Sequence, residues 1–286
     1  MHEILHVLKH TLLDSIKILP FLLIAYLIME YIEHKTTDKT RNAIKKSGRF
    51  GPFVGSILGA FPQCGFSVTA TNLYAGRVIT LGTLFAVYLS TSDEMLPILL
   101  SEGVAGPVIL KILGIKILIG IIAGVLIDLI LSRFSKNKKE ENHIENICEH
   151  DHCHCEESIW KSAIKHTINV FAFILLISLI LNIAIEYIGK DKLLGLISNK
   201  PILSILVAGL IGLIPNCASS VVLTELYLLS QSLSVIPAMI GGLLVNAGVG
   251  LLVLFKVNHN QKENIKIAAM LYVIGVISAI ILQFII

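Results

Sequence analysis

Phe61-Pro62-Gln63-Cys64-Gly65-Phe66-Ser67-Val68-Thr69-Ala70-Thr71-Asn72-Leu73-Tyr74 decides how this chain folds, because much of it is written twice. Pro62, Cys64, Ser67, Val68, Thr71, Leu73 and Tyr74 recur 153 positions later as Pro215, Cys217, Ser220, Val221, Thr224, Leu226 and Tyr227. His10-Thr11 and Glu30-Tyr31-Ile32 recur 156 positions on as His166-Thr167 and Glu186-Tyr187-Ile188. The chain is an internal duplication, and such a repeat constrains the architecture before any single element does. Proline inside a helical pattern removes an amide donor and clashes with the carbonyl one turn back. Segments 51–75 and 202–230 therefore read as pairs of short helical arms around a Pro-x-Cys break.

The surroundings of these breaks are apolar. Of 286 residues, 55% are hydrophobic and 15% charged, and the mean hydropathy is +0.80, outside the balance of a water-soluble domain. Runs of the ~20 residues needed to cross a bilayer are read at 11–33, 79–100, 104–132, 166–188, 235–256 and 266–286. The first has no basic leader and no small-residue cleavage site, so it reads as a retained span. Basic residues follow the loops, which excludes a nucleic-acid face. The chain carries no P-loop for driving the cycle with ATP. Cys64 and Cys217 lie in apolar segments and Cys148, Cys153 and Cys155 in a polar loop, an odd and unlike set that is no disulfide framework.

Each arm of the first interrupted segment has about 12 residues, or ~18 Å at 1.5 Å per residue, against a hydrocarbon core of ~30 Å. One arm falls short, so the pair either folds back as a re-entrant hairpin or stacks into one broken span. Lys and Arg decide between these. With hairpins, loops 34–50, 133–165 and 257–265 with their flanks share one side and hold fifteen basic residues, against Lys9, Lys190, Lys192 and Lys200 on the other. With broken spans the split is twelve against seven. The positive-inside bias favours hairpins, and Arg77, at the exit of the first, falls on the same cytosolic side. The expected fold is all-α and integral to the membrane. It has two inverted-topology repeats, each of three transmembrane helices plus a broken re-entrant helical hairpin, ten elements in all. Residues 1–133 form the first membrane repeat, 134–160 a cytosolic His/Cys-rich linker and 161–286 the second membrane repeat. Inverted repeats whose discontinuous helices meet near the midplane are a recurrent construction of carriers.

Charge inside a span is costly and marks function by default. Run 79–100 holds Ser90-Thr91-Ser92-Asp93-Glu94 near its middle, followed by Pro97, and the equivalent of half two holds Val245-Asn246-Ala247-Gly248. Thr91, Ser92, Asp93, Glu94 and Asn246 are thus expected to face Gln63, Cys64, Asn216 and Cys217, with Ser67 and Ser220 one helical turn beyond each cysteine. A lone cysteine in an apolar helix is usually a packing residue, but recurrence at the same motif position argues for a site. Glu225, where half one has Asn72, is a candidate ligand, coupling group or gate, as Asp93 and Glu94 are for coupling. Glu30 and Glu186, beside tyrosines at span ends, are expected to anchor at the interface, and Asp14 and Asp128 to face water.

The loop between the repeats carries His143, Cys148, His150, His152, Cys153, His154 and Cys155 among acidic residues. This density suits capture of Zn²⁺ or a similar ion, although the spacing lacks the paired knuckles of a folded zinc site. The alternative is a solvated linker whose His and Cys are incidental.

At Phe61-Pro62-Gln63-Cys64-Gly65-Phe66-Ser67, at Ser90-Thr91-Ser92-Asp93-Glu94, through the His/Cys-rich loop and at Ile214-Pro215-Asn216-Cys217-Ala218-Ser219-Ser220, the chain resembles the ten-transmembrane heavy-metal exporters. That family is also described as manganese transporters and arsenic-efflux-like permeases. Ten elements agree with the count above when each hairpin contributes two. The resemblance implies export of a metal or metalloid across the cytoplasmic (inner) membrane of a prokaryote. Oxygen donors from Gln63, Asp93, Glu94, Asn216 and Asn246 favour a divalent metal, Mn²⁺ first, exchanged for protons. The Cys64 and Cys217 thiols favour arsenite or an organoarsenical instead. A membrane thiol oxidoreductase is a third reading, but it wants a close exposed cysteine pair and a cofactor site. No enzymatic activity and no resident cofactor are expected. The partners are the lipid bilayer and the metal or metalloid, without nucleic acid, and a homo-oligomer is left open.

Overall fold

The computed structural model describes residues 50–62, 65–134, 159–188, 201–230 and 235–285, with nine positions between 12 and 27. The elements among them are helical: α1 (Gly51–Gly59), α2 (Gly65–Ala75), α3 (Leu81–Ser90), α4 (Met95–Ser101), α5 (Gly106–Phe134), α6 (Ile159–Ile188), α7 (Pro201–Gly212), α8 (Cys217–Ser230), α9 (Ile236–Val245), α10 (Val249–Val257) and α11 (Gln261–Ile285). By length and composition, three stretches among the described residues are able to cross a membrane: Gly106–Arg133, Ile236–Val257 and Gln261–Ile285. The described residues are all-helical, with apolar spans as in a membrane protein.

Burial separates the middle from the perimeter. Every residue of Gly82–Ser90 in α3 and of Pro237–Val245 in α9 is buried, so these helices, apolar all round, stand at the centre of the molecule. In Ile236–Val257, 94% of the most apolar window lies inside, against 33% for Gly106–Arg133 and 28% for Gln261–Ile285. The outer helices turn one face outward: Leu118, Ile122, Leu126 and Leu129 on α5, and Val273, Ile277, Ile281 and Phe284 on α11. Both sets follow helical spacing, as a stripe offered to acyl chains does.

The runs at 79–100 and 235–256, read as full spans, are each two pieces. Ser90 Oγ donates to Ala86 O at 2.8 Å and Thr91 Oγ1 to Val87 O at 2.8 Å, and such back-bonding competes with the helical ladder and bends it. Thr91 then leaves the helix with ψ 126, and α4 restarts at Met95. In the second run Asn246 turns out with ψ 103 and its Oδ1 accepts from Gly248 N at 2.6 Å. Gly248 has φ 55 and ψ −142, a conformation essentially restricted to glycine.

Asp128, expected to face water, is half-buried and bonded to the start of α3. Its carboxylate accepts from Thr80 Oγ1 at 2.7 Å and from Gly82 N at 2.9 Å, while Thr80 Oγ1 accepts from Thr83 N at 3.1 Å as the N-cap of α3. The first turn of α3 has orphan amides like any helix start, and a half-buried carboxylate from α5 reaches one of them.

The packing follows a pattern that occurs twice. α1 packs on α3, α3 on α5 and α1 on α5; α7 packs on α9, α9 on α11 and α7 on α11. The second piece of each broken run crosses over, so that α10 packs on α2 and α4 on α8, while α3 and α9 meet in the middle. The α2–α10 approach is close: a Cβ on Gly250 would stand 2.8 Å from Ser67 Cβ. Thr71 Oγ1 and Tyr88 OH both reach Gly250 O there, at 3.0 and 3.1 Å.

Candidate functional site

The two helix breaks lie against one another. Asp93, 3% exposed, sits so close to the second break that a Cβ on Gly248 would overlap its Oδ2. Each break is also tied to a neighbouring arm of its own half. Ser92 Oγ donates to Ala60 O at the end of α1. Asn246 Nδ2 donates to Ser219 Oγ at 3.0 Å, and Ser219 in turn donates to Asn216 O at 2.6 Å, just before α8.

The residues singled out in the sequence therefore fall into groups. Thr91, Ser92, Asp93 and Asn246 are buried at the meeting of the breaks, and Asn216, also buried, joins them through Ser219. Glu94 is half-buried at the start of α4. Ser67 is buried in the α2–α10 contact, and Ser220 O accepts from Thr224 Oγ1 within α8 at 2.7 Å. Glu225 is half-buried on α8. Gln63, Cys64 and the linker's His143, Cys148, His150, His152, Cys153, His154 and Cys155 lie outside the described residues, as do Asp14 and Glu30. Cys217 opens α8 with its side chain undescribed, and Glu186 is likewise described by its backbone alone. Among the described residues no three His, Cys, Asp or Glu side chains converge on one point. Among the described residues, an ion held beside Asp93 would have to draw on carbonyl and amide oxygens.

Sequence reasoning missed one group in this region. Lys116 on α5 is fully buried and its Nζ donates to Thr91 O and, at 2.9 Å, to Leu243 O. It thereby joins the end of α3 to the end of α9. Asp93 lies two residues beyond Thr91, in the same break whose first carbonyl Lys116 reaches. The rule that drew attention to Asp93 applies equally to a lysine within Ile115-Lys116-Ile117, deep in an apolar run; the count of loop charges passed over it.

A second polar cluster lies where the chain leaves α2. Arg77, with φ 58, donates through both terminal nitrogens to the Glu263 carboxylate at 3.3 Å each. Tyr74 OH donates to the same carboxylate, the Arg77 guanidinium lies 5.4 Å from the Tyr74 ring centroid, and Asn258 is bonded to Asn264 at 2.7 Å alongside. This cluster joins the exit of α2 to the first turn of α11.

Residues 6–188 match the profile of a family described as "Putative, 10TM heavy-metal exporter". The match takes in the first Pro-x-Cys break, the Ser90–Glu94 stretch and the linker, and ends before the second break. No curated protein and no solved structure matches the chain. Over more than half its length, and with buried polar helix breaks at the centre of an apolar helical bundle, the chain belongs to this family of ten-transmembrane heavy-metal exporters.

Proposed function

We propose that the protein is a secondary transporter that exports a divalent heavy-metal ion, Mn²⁺ first, in exchange for protons, and that the ion is held between the two breaks. The observation that carries this reading is the approach of Asp93 to Gly248. It sets a buried carboxylate against the backbone of the second break, beside the Thr91 carbonyl and the Asn246 amide. Hard and intermediate oxygen donors of this kind suit Mn²⁺ better than a soft ion. Glu94, Gln63, Asn216 and the hydroxyls of Thr91, Ser92, Ser67 and Ser220 are the remaining candidates around it. Protonation of Asp93 or Glu94 would release the ion on the outside, and Glu225 is the candidate gate on α8.

The reading treats the halves as inverted repeats with re-entrant hairpins. The twofold recurrence of the packing, with α1–α5 matched by α7–α11, supports it, as does the fifteen-to-four asymmetry of basic residues. On that asymmetry the His/Cys linker is cytosolic in a prokaryotic inner membrane, where it would collect ions ahead of export.

The test is transport in proteoliposomes with an entrapped metal-sensitive dye, with and without a pH gradient, across Mn²⁺, Zn²⁺, Cd²⁺ and Co²⁺. Wild type is expected to move Mn²⁺ faster with the gradient, and Asp93→Ala to abolish this. Equal metal accumulation in cells with wild type and Asp93→Ala across the whole panel would refute the reading. The arsenite or organoarsenical alternative rests on the thiols, so loss of arsenical resistance in Cys64→Ser/Cys217→Ser with Mn²⁺ transport intact would favour it.

A further inference from the structure

We infer that the Lys116 ammonium is a tethered occupant of the cation position, which an incoming ion has to displace before it can bind. This rests on the cation-export reading above and adds a competitor to it.

The position is built for positive charge. Thr91 caps the C-terminus of α3 and Leu243 lies in the last turn of α9. Each helix C-terminus carries about −0.5 elementary charge on carbonyls with no intrahelical donor. Lys116 Nζ donates to both of these carbonyls, and Asp93 follows Thr91 by two residues in the same break. The amide sides of the breaks have acceptors of their own: Leu96 N bonds Ser92 O at 3.3 Å, and Gly248 N bonds Asn246 Oδ1. The ammonium thus takes up the Thr91 carbonyl that a metal at this point would draw on. Two cations so close in a dry interior repel strongly, so one excludes the other.

The elements packed on α5 are α1, α3, α4 and α9. Of these, α1, α4 and α9 have no titratable side chain, and α3 has Tyr88 alone, which bonds Thr71 and Gly250 O. The α3–α4 break supplies Asp93 and Glu94. Lys111, Asp128 and Arg133 share α5 with Lys116, and Asp128 is held by Thr80 and Gly82. Asp93 is therefore the described carboxylate for which Lys116 and an ion would compete. Displacing Lys116 also releases the bond to Leu243 O, so that occupancy of the site and the α5–α9 bridge alternate.

Calorimetric titration of Mn²⁺ into the full chain in detergent, for wild type, Lys116→Gln and Lys116→Arg, tests this. Lys116→Gln is expected to bind Mn²⁺ at least tenfold more tightly than wild type, and Lys116→Arg no more tightly. Equal or weaker binding by a folded Lys116→Gln, with wild type binding normally, overturns the tethered-occupant proposal and leaves the export reading standing. A lysine that merely neutralises helix ends would give that result together with a lowered melting temperature. If no variant binds any of Mn²⁺, Zn²⁺, Cd²⁺ or Co²⁺, the export reading itself fails and takes the proposal with it. Should Lys116→Gln not fold, wild type serves: acetylation of Lys116, read by peptide mass spectrometry, is expected to rise several-fold with Mn²⁺ present, and unchanged labelling overturns the proposal.

Discussion

Replacing Gly248 by alanine adds one methyl group at the point where the two breaks meet, and two separable costs follow. The first is conformational: at φ 55 and ψ −142 a residue with a Cβ bears strain of ~1–3 kcal/mol. The second is a collision, because the new methyl would overlap Asp93 Oδ2 and stand 3.2 Å from Asp93 Cγ. Asp93 is 3% exposed, so its carboxylate has little room to retreat, and overpacking of this kind costs a further ~1–3 kcal/mol. Gly103, in the turn between α4 and α5, provides the control. Its φ is 69 and a methyl group added there would have nothing within 4 Å, so Gly103→Ala carries the backbone cost alone. With ~2–4 °C of melting temperature per kcal/mol, Gly103→Ala is expected to melt a few degrees below wild type and Gly248→Ala about twice as far below. The assay is differential scanning fluorimetry of the three purified proteins, paired with Mn²⁺ titration. Gly103→Ala should bind as wild type does, and Gly248→Ala at least tenfold more weakly. If the two variants melt alike and both bind Mn²⁺ normally, Asp93 does not press on the second break and the site as drawn is wrong.

Other perturbations probe the surroundings. Arg77→Gly is expected to be more stable than Arg77→Ala by ~1 kcal/mol in thermal melts, since both lose the Glu263 pair but only glycine relieves the positive φ. A double-mutant cycle between Arg77 and Glu263 should give a coupling of ~0.5–1 kcal/mol, kept small because Arg77 is 41% exposed; zero coupling would remove any role for the pair in fastening α2 to α11. Asp128→Ala should cost ~1–2 kcal/mol through the bonds from Thr80 and Gly82, and a melting temperature equal to wild type would contradict the account of how α3 starts.

The sequence made the interruptions visible more readily than their company. Pro62 and Pro215 are local signals in which the residue type itself disfavours a helix, so the interruptions of 51–75 and 202–230 could be read from them directly, whereas Ser90–Glu94 and Val245–Gly248 were read as polar stretches inside full spans and not as breaks. What the pattern lacks is the rotation of each helix about its axis and the neighbour that each face meets. Lys116 was overlooked for this reason: a lysine in a 29-residue apolar helix that also carries Lys111 has the same sequence signature whether it points at lipid headgroups or at two carbonyl ends. The bonds of half-buried Asp128 went unread for the same reason, its partners lying 46 and 48 positions away. The crossing of α10 to α2 is likewise a long-range preference, resting on the absence of a side chain at Gly250 opposite Ser67.

That crossing has a mechanical consequence. The first piece of each broken run is gripped mainly by helices of its own half, α3 by α1 and α5, and α9 by α7 and α11, whereas the second piece packs chiefly on an arm of the other half, α10 on α2 and α4 on α8. Each run is therefore a strap buckled at its two ends to different bodies, and the only slack in it is the short break between. Any relative swing of those bodies has to be absorbed at Thr91–Glu94 and Asn246–Gly248, the same few residues that surround Asp93. A ligand seated there would act on the angle of the strap itself, favouring whichever angle brings more oxygens to it. Affinity and posture would then be a single quantity, and a substitution that stiffens either break should change both together.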